Sequence, residues 1–311
     1  MLMLRSTLST LLRRLRRPAR SPAAGPLPAG GELAPGMCFG GLRIERLLAR
    51  GAGGALYLAV DQANGTPLAV KAVALARQQG DRANDDWLRE ARNAMRLRHP
   101  GIVTVHGVAT LPGLGCIVME LLPGTDLSCY SGAGRLLPEP LALEIAARVA
   151  EALAYAHQQG FVHRDVKPAN VMFDPASGIV KLTDFGLARA PDAQATRSGL
   201  LLGSPAYMAP ELLAGARADA RSDLYALGVL LFELLSGRLP YESASIGALL
   251  QAMARASPHT LRSLRPDLAP HQAAALDAVL ALVLAREPAQ RWADGTAWAR
   301  TLRELRLGGA G

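Results

Sequence analysis

Lysine is nearly absent from this chain. Of its 34 basic side chains only Lys71, Lys167 and Lys181 are lysine, and the rest are arginine. A position that keeps lysine against that composition calls for a compact ammonium on a flexible stem, which a planar guanidinium does not imitate. Cysteine is scarce as well. Cys38, Cys116 and Cys129 show no C-x-x-C spacing and leave an odd thiol in any pairing, which argues against a zinc site or a disulfide framework and for a reducing cytoplasm. Long apolar runs are missing too. "LYALGVLLFELL" (224–235) and "LDAVLALVLA" (276–285) are each broken by an acidic residue and fall short of the roughly 18 residues that cross a bilayer, so both read as buried helices. Positions 1–31 contain no acid at all and six arginines. Most of the net charge of +8 therefore sits in that segment, and the near-neutral remainder lacks the basic folded face that nucleic-acid binding requires.

What is present divides into three stretches. Residues 1–17 place Leu4, Leu8, Leu11, Leu12 and Leu15 at helical spacing between arginines, the pattern of a short basic amphipathic helix. The segment "RPARSPAAGPLPAGGELAPG" (17–36) holds five prolines and four glycines and reads as a linker, so the first boundary falls at 36. Residues 37–122 form a domain of short β-rich runs, "LRIERLLA", "ALYLAV", "PLAVKAV", "IVTVHGV" and "GCIVME", with one helical segment, "NDDWLREARNAMRLR", after the third. Residues 123–311 turn to helical periodicity, as in "LALEIAARVAEALAYAHQQG". The 311 residues exceed a usual single layered domain, and an α+β molecule with a small β-rich part and a larger helical part is expected.

The glycine cluster "ARGAGGALY" (49–57) is a weak signal alone, but it lies between two strand-like runs, and Lys71 follows in a third. A hairpin could there cover a nucleotide's phosphates while the lysine reaches them. An edge-strand lysine is disfavoured by the apolar neighbours of Lys71. Further on come "HRDVKPAN" (163–170) and "VKLTDFGLA" (180–188), which carry the other two lysines. With "SPAYMAPE" (204–211), "SDLYALGVLLFELLSGRLPY" (222–241), a helix bearing Glu90 and a late arginine in "EPAQRW" (287–292), the order of motifs closely resembles that of the eukaryotic-type serine/threonine protein kinases over residues 40–305, with a bacterial-like composition.

That resemblance implies a bilobal kinase fold and assigns roles. Lys71 would hold the α- and β-phosphates of ATP, paired with Glu90 from the helix of the smaller lobe. Asp165 would accept or orient the substrate hydroxyl proton, Lys167 would steady the moving phosphate, and Asn170 with Asp184 would ligate magnesium, for which manganese can substitute. The nucleotide would be lined by Ala49, Gly51, Gly54, Leu56, Ala69 and Met172, with Met119 behind the base and backbone groups of Glu120 and Leu122 against it; for Met119 plain core packing is the other reading. Phe185, Asp223, Glu211 and Arg291 would be scaffold, and Lys181 a solvent-facing strand residue. A lysine two residues after Asp165 goes in this family with serine or threonine acceptors on protein substrates. Thr196 and Ser198 stand where autophosphorylation occurs, with Arg164 as the fork for the phosphate, unless they are simply solvated hydroxyls. Ser204 replaces the usual threonine that bridges the catalytic aspartate and lysine.

Two departures bear on activity. Ala49 stands in place of the first loop glycine, which puts ATP affinity in question. Ala94, one turn after Glu90, is thinner than the usual apolar residue and predicts a loosely held helix with low basal activity. These two alone favour a nucleotide-binding scaffold without turnover, the alternative to an active kinase. For residues 1–17 a solvated arm, a weak helical contact with anionic lipid and a transit peptide stay open. With no sensor domain on either side, a stand-alone cytoplasmic kinase is the expectation, at most peripheral to the membrane.

Overall fold

Alternating burial builds the first part of the fold, six antiparallel strands in one sheet. A computed structural model describes residues 32–51, 53–75, 80–132, 134–185, 204–243 and 245–308, so the basic segment 1–17 and the loop residues Thr196 and Ser198 lie outside it. The strands are β1 (Cys38–Phe39), β2 (Leu42–Gly51), β3 (Gly54–Asp61), β4 (Pro67–Ala74), β5 (Val105–Leu111) and β6 (Leu114–Glu120), in the order β1-β2-β3-β4-β6-β5. One face buries Leu42, Ile44, Tyr57, Ala59, Val70, Ala72, Cys116 and Val118. Burial there pushes the Cys116 thiol up to about 12, so it behaves as a small apolar group. Helix α1 (Gly80–Ala94) enters between β4 and β5.

The stretch read as linker ends inside this sheet. Leu33 is buried with the core, its amide donates to Tyr57 Oη at 3.3 Å, and the Glu32 carboxylate takes both guanidinium nitrogens of Arg50. A leucine in a Pro/Gly-rich stretch finds a partner only once β2 and β3 are formed, which is why composition alone placed it outside.

The second part is mainly helical: α2 (Glu139–Gln158), α3 (Pro210–Leu213), α4 (Ala220–Ser236), α5 (Ile246–Arg255), α6 (Leu261–Leu264), α7 (Pro270–Val283) and α8 (Gly295–Gly308). It also holds a small antiparallel sheet that the sequence reading did not separate, of β7 (Thr125–Asp126), β8 (Val171–Asp174) and β9 (Ile179–Leu182). Its strands are too short for a period-2 pattern to register. The chain thus divides into two compact units, one taking in the sequence up to Arg98 with Val103–Leu122, the other His99–Ile102 with Pro123–Gly311.

Helix α4 is the centre of the second unit, buried at every position from Ser222 to Leu235 except Glu233. Asp219 starts it with a capping box to Ser222, and Gly237 ends it in the left-handed region at φ 71°. Helix α7 comes so close that a Cβ on Gly228 of α4 would stand 2.5 Å from Val283. The buried helix expected at 276–285 is buried on one side. α7 buries one stripe, Ala273, Leu276, Leu280 and Val283, while Leu282 is 41% exposed. Small alanines on the outer face carry little penalty in water, so a continuous apolar run does not require burial all round. No helix among the described residues is long and apolar enough to cross a membrane.

A buried ion pair ties α3 to the chain before α8. Arg291, its side chain wholly inaccessible, donates to both carboxylate oxygens of Glu211 at 2.7 Å, to Ala285 O at 2.7 Å and to Arg286 O at 2.9 Å, with its guanidinium 4.8 Å over the Tyr225 ring. Taking away one partner leaves a carboxylate and two carbonyls without donors. Arg291→Met is therefore expected to lower stability by about 3 kcal/mol or more, read by urea unfolding; a change under about 1 kcal/mol would show that the pair is not what closes this corner.

Candidate functional site

In the first unit the glycine cluster forms the tip of the β2–β3 hairpin, where Gly51 pairs with Gly54. Only Gly54 carries a conformational demand. Its φ is +116°, and a Cβ there would lie 2.2 Å from Ala72 O, inside any real contact. Gly51 has open space, and Ala49 sits exposed opposite Leu56, just after a register shift at Leu47/Ala49 and without a positive φ, so the missing first glycine imposes no left-handed backbone strain.

Lys71 lies beneath that tip. A Cβ on Gly53 would be 3.3 Å from the Lys71 ammonium, which places the charge directly against the glycine turn. In register Lys71 stands between Leu56 of β3 and Ile117 of β6, and Ala69 stands opposite Met119, both buried. Glu120 ends β6: its amide donates to Thr104 O at 3.0 Å, and its carboxylate accepts the Thr104 amide at 2.7 Å. Leu122 follows outside the strand, half-buried. On α1 Glu90 is half-buried and Ala94 is buried at 5% exposure, so the thin residue does not leave the helix face open.

In the second unit one carboxylate organises the segment 163–170. Asp223 on α4, 2% exposed, accepts the His163 amide at 2.7 Å and the His157 Nε2–H at 2.8 Å on Oδ2, and the Arg164 amide at 2.8 Å on Oδ1. Arg164 needs this hold, because its φ of 71° costs a residue with a Cβ on the order of 1–2 kcal/mol. A hydrogen bond to a charged acceptor gives about 1.5–3 kcal/mol, enough to keep the turn in place. The turn then presents Asp165, whose Oδ2 takes the Lys167 ammonium at 2.7 Å and the Asn170 amide nitrogen at 2.9 Å. The same Asn170 nitrogen donates to Asp165 O at 2.7 Å, so the side chain closes its own loop.

His163 carries this order onward to Asp184. Its ring accepts the Asp165 amide at Nδ1 (3.2 Å) and donates from Nε2 to Thr183 O (2.7 Å), which only the tautomer with the proton on Nε2 satisfies. Thr183 in turn gives its amide and its hydroxyl to Asn170 O, at 2.8 and 3.1 Å. The residue before Asp184 is thus fixed from two sides, and Asp184 adopts φ 62°, a region aspartate tolerates better than most residues. Phe185, buried, meets the His163 ring edge-on at 4.6 Å. Met172 lies half-buried on β8, and Lys181 half-buried on β9 rather than fully in solvent.

Asp165, Lys167, Asn170 and Asp184 with Phe185 are therefore brought together in one unit, and Lys71 with the glycine turn in the other. Thr196, Ser198 and the side chain of Ser204 lie outside the described residues. The sequence reading missed Thr183 and His157, which act through hydrogen bonds that cross 13 and 66 residues. His157, the one basic residue in the last turn of an alanine-rich buried helix, was the available signal.

Comparison with known proteins gives one consistent family. The family model described as "Protein kinase domain" matches residues 42–300. Among curated relatives, serine/threonine-protein kinase PknJ of Mycobacterium tuberculosis is 39% identical over 288 residues, covering 90% of this chain and 48% of the relative. Serine/threonine-protein kinase Pkn1 of Myxococcus xanthus is 34% identical, covering 90% and 40%. The crystal structure of the Mycobacterium tuberculosis PknI kinase domain superposes with a TM-score of 0.71 at 34% identity, covering 89% of this chain and 100% of that one. The chain spans about half the length of the curated relatives it matches.

The hairpin tip offers a direct check on the local geometry. Gly54→Ala must move the backbone away from Ala72, whereas Gly53→Ala meets only the end of a flexible side chain. We expect Gly54→Ala to lower stability by about 1–3 kcal/mol and to speed amide exchange in β3 and β4, with Gly53→Ala showing less than half that effect. Equal effects would contradict the close approach at residue 54.

Proposed function

The chain belongs to the protein kinase domain family, and on that premise we propose that it transfers the γ-phosphoryl group of ATP to serine or threonine hydroxyls of protein substrates. The observation that carries this reading is the arrangement around Asp165. Lys167 and Asn170 both hold Oδ2, which supports reading Oδ1 as the oxygen for an incoming hydroxyl. Phosphoryl transfer requires positioning and charge neutralisation more than covalent work, and this loop supplies both. Asp165 orients the hydroxyl and takes its proton. Lys167, already beside that oxygen, balances charge on the phosphoryl group as it moves.

The family uses ATP with a divalent ion, and the residues here fit one. The Asn170 nitrogen is committed to Asp165, which leaves the amide oxygen, and with the Asp184 carboxylate this makes the hard-oxygen pair that magnesium takes beside phosphate oxygens. We assign Asn170 and Asp184 to magnesium, with manganese able to replace it. Such an ion supplies positive charge at the β- and γ-phosphates when bound. Lys71, under the glycine turn, is assigned to the α- and β-phosphates and Glu90 to the orientation of Lys71. Ala49, Gly51, Gly54, Leu56, Ala69, Met119 and Met172 are assigned to the walls of the nucleotide site. The Glu120 carbonyl and the Leu122 amide are assigned to the base; the Glu120 amide and carboxylate are already engaged with Thr104.

Serine/threonine selectivity rests on Lys167 two residues after Asp165 and on the relatives' being named serine/threonine-protein kinases. The alternative of a scaffold without turnover is not supported, since every catalytic position is filled, Ala49 brings no positive φ and Ala94 is buried. Thr196 and Ser198 are our candidates for autophosphorylation, with the exposed Arg164 as the guanidinium that receives the phosphate.

Incubation of the full chain with ATP and magnesium, followed by intact-mass and phosphopeptide analysis, tests this reading. Phosphate is expected on Thr196 or Ser198 and on a generic acceptor protein, with the rate in Asp165→Asn lower by about a thousandfold or more. A wild-type protein that binds nucleotide yet transfers no phosphate to itself or to any acceptor would overturn it.

A further inference from the structure

Gly115 is an oddity in β6. It sits among residues that are buried and mostly large, and a glycine inside a strand marks a close approach by something else. What approaches is Trp87 of α1. A Cβ on Gly115 would lie 2.3 Å from Cη2, 2.5 Å from Cζ3 and 2.8 Å from Cζ2 of the indole, so the ring's benzo edge occupies the space of the missing side chain. The indole is large and rigid, and it is seated on backbone rather than on a side chain that could rotate away.

The register says which face this is. Side chains alternate along a strand, so Gly115 shares a face with Ile117, while Cys116 and Val118 go to the sheet core on the other side. Across the ladder Gly115 pairs with Val73 and Ile117 with Lys71. Trp87 therefore docks on the sheet face that carries Lys71, one same-face step away. On α1, Trp87 and Glu90 are three residues apart and so lie on one side of the helix, and Trp87, Ala91 and Ala94 follow at i, i+4 and i+7. Ala91 and Ala94 are buried at 0% and 5% exposure, so this stripe is the face α1 lays against its surroundings. Two alanines bring the helix close but offer no shape that locks it. The only large side chain described on the stripe is Trp87.

We propose that Trp87 is the positioning residue that sets Glu90 against the sheet face bearing Lys71, with Gly115 as its socket, and that this contact governs the rate of phosphoryl transfer. The inference rests on the kinase reading above. It changes the meaning of Ala94: the anchor that a larger residue would provide one turn after Glu90 is supplied one turn before it. A substitution that fills the socket lifts the indole, carries α1 with it, and leaves the nucleotide's seat under the hairpin in place.

The test uses the full chain with 5-fluorotryptophan, whose three 19F resonances (Trp87, Trp292, Trp298) are assigned through loss of one in Trp87→Phe. In Gly115→Ala the Trp87 resonance is expected to move while the other two stay, with kcat lower by about tenfold or more and KM for ATP within about threefold, the sign of an interaction made in the transition state. Trp87→Ala should show the same split. The pair Gly115→Ala with Trp87→Leu should recover part of the rate lost in Gly115→Ala alone, because the smaller side chain relieves the clash; such non-additivity is what direct contact produces. Unchanged kcat in Gly115→Ala beside a shifted Trp87 resonance, or strictly additive losses in the pair, would overturn the proposal. A wild-type chain with no turnover at all would instead sink the kinase reading, so the two failures are told apart by the wild-type control.

Discussion

The carboxylate of Asp223 is the group on which the geometry of segment 163–170 depends. Burying an ionised carboxyl is costly, by several kcal/mol even after relaxation, unless its lone pairs are met by well-placed donors. Here three N–H groups meet it, two of them backbone amides of consecutive residues, His163 and Arg164. Backbone donors cannot rotate away as side chains can. The carboxylate therefore fixes peptide planes, and through them the left-handed turn at Arg164 that brings Asp165 round to Lys167 and Asn170. From α4, the most deeply buried helix described, order passes to Asp165 directly and to Asp184 by way of His163 and Thr183. Two residues outside glycine hold positive φ among those described, Arg164 and Asp184, and both lie on this path. Strained backbone of this kind persists only where the surrounding structure over-determines it, as the hydrogen bonds along this path do.

The smaller unit uses a different device, the absence of side chains. Gly54 lets β3 approach Ala72, Gly53 lets the turn sit against the Lys71 ammonium, and Gly115 admits the Trp87 indole. Each is a place where one methyl group would displace something. The ammonium of Lys71 stands close against the same turn, a seat that suits a compact point charge better than the broader planar guanidinium. Glu32 and Leu33 extend this unit backwards in sequence by binding Arg50 and Tyr57, so the hairpin strand next to the glycine turn is held by residues from the edge of the proline-rich stretch.

Much of this was legible in the sequence, for a physical reason. The segment 163–170, the aspartate before Phe185 and the strand lysine are read as local strings because the chemistry proposed for them needs fixed residue types at short spacing. Strands β2 to β4 and helices α2 and α4 announced themselves by periodicity over many residues. What stayed hidden is long-range or small. The seat of Trp87 on Gly115 joins residues that no local pattern relates, though an isolated glycine in an apolar strand was a visible hint. Strands β7 to β9 are two to four residues long, below the length at which alternation can be counted. Leu33 looked like linker because burial depends on a partner and not on composition. The positive φ at Arg164 could not be read from an arginine; it follows from the distant Asp223.

The measurement that bears most directly on this account is the phosphate-transfer rate of Asp223→Asn, taken together with nucleotide affinity and the thermal unfolding midpoint. The substitution keeps shape and volume but turns one acceptor oxygen into an NH2 group, which must then face one of the N–H donors. If the carboxylate sets the geometry of the catalytic segment, transfer should fall by about a hundredfold or more while ATP still binds and the protein stays folded. A variant that transfers phosphate within about twofold of the wild-type rate would contradict the account.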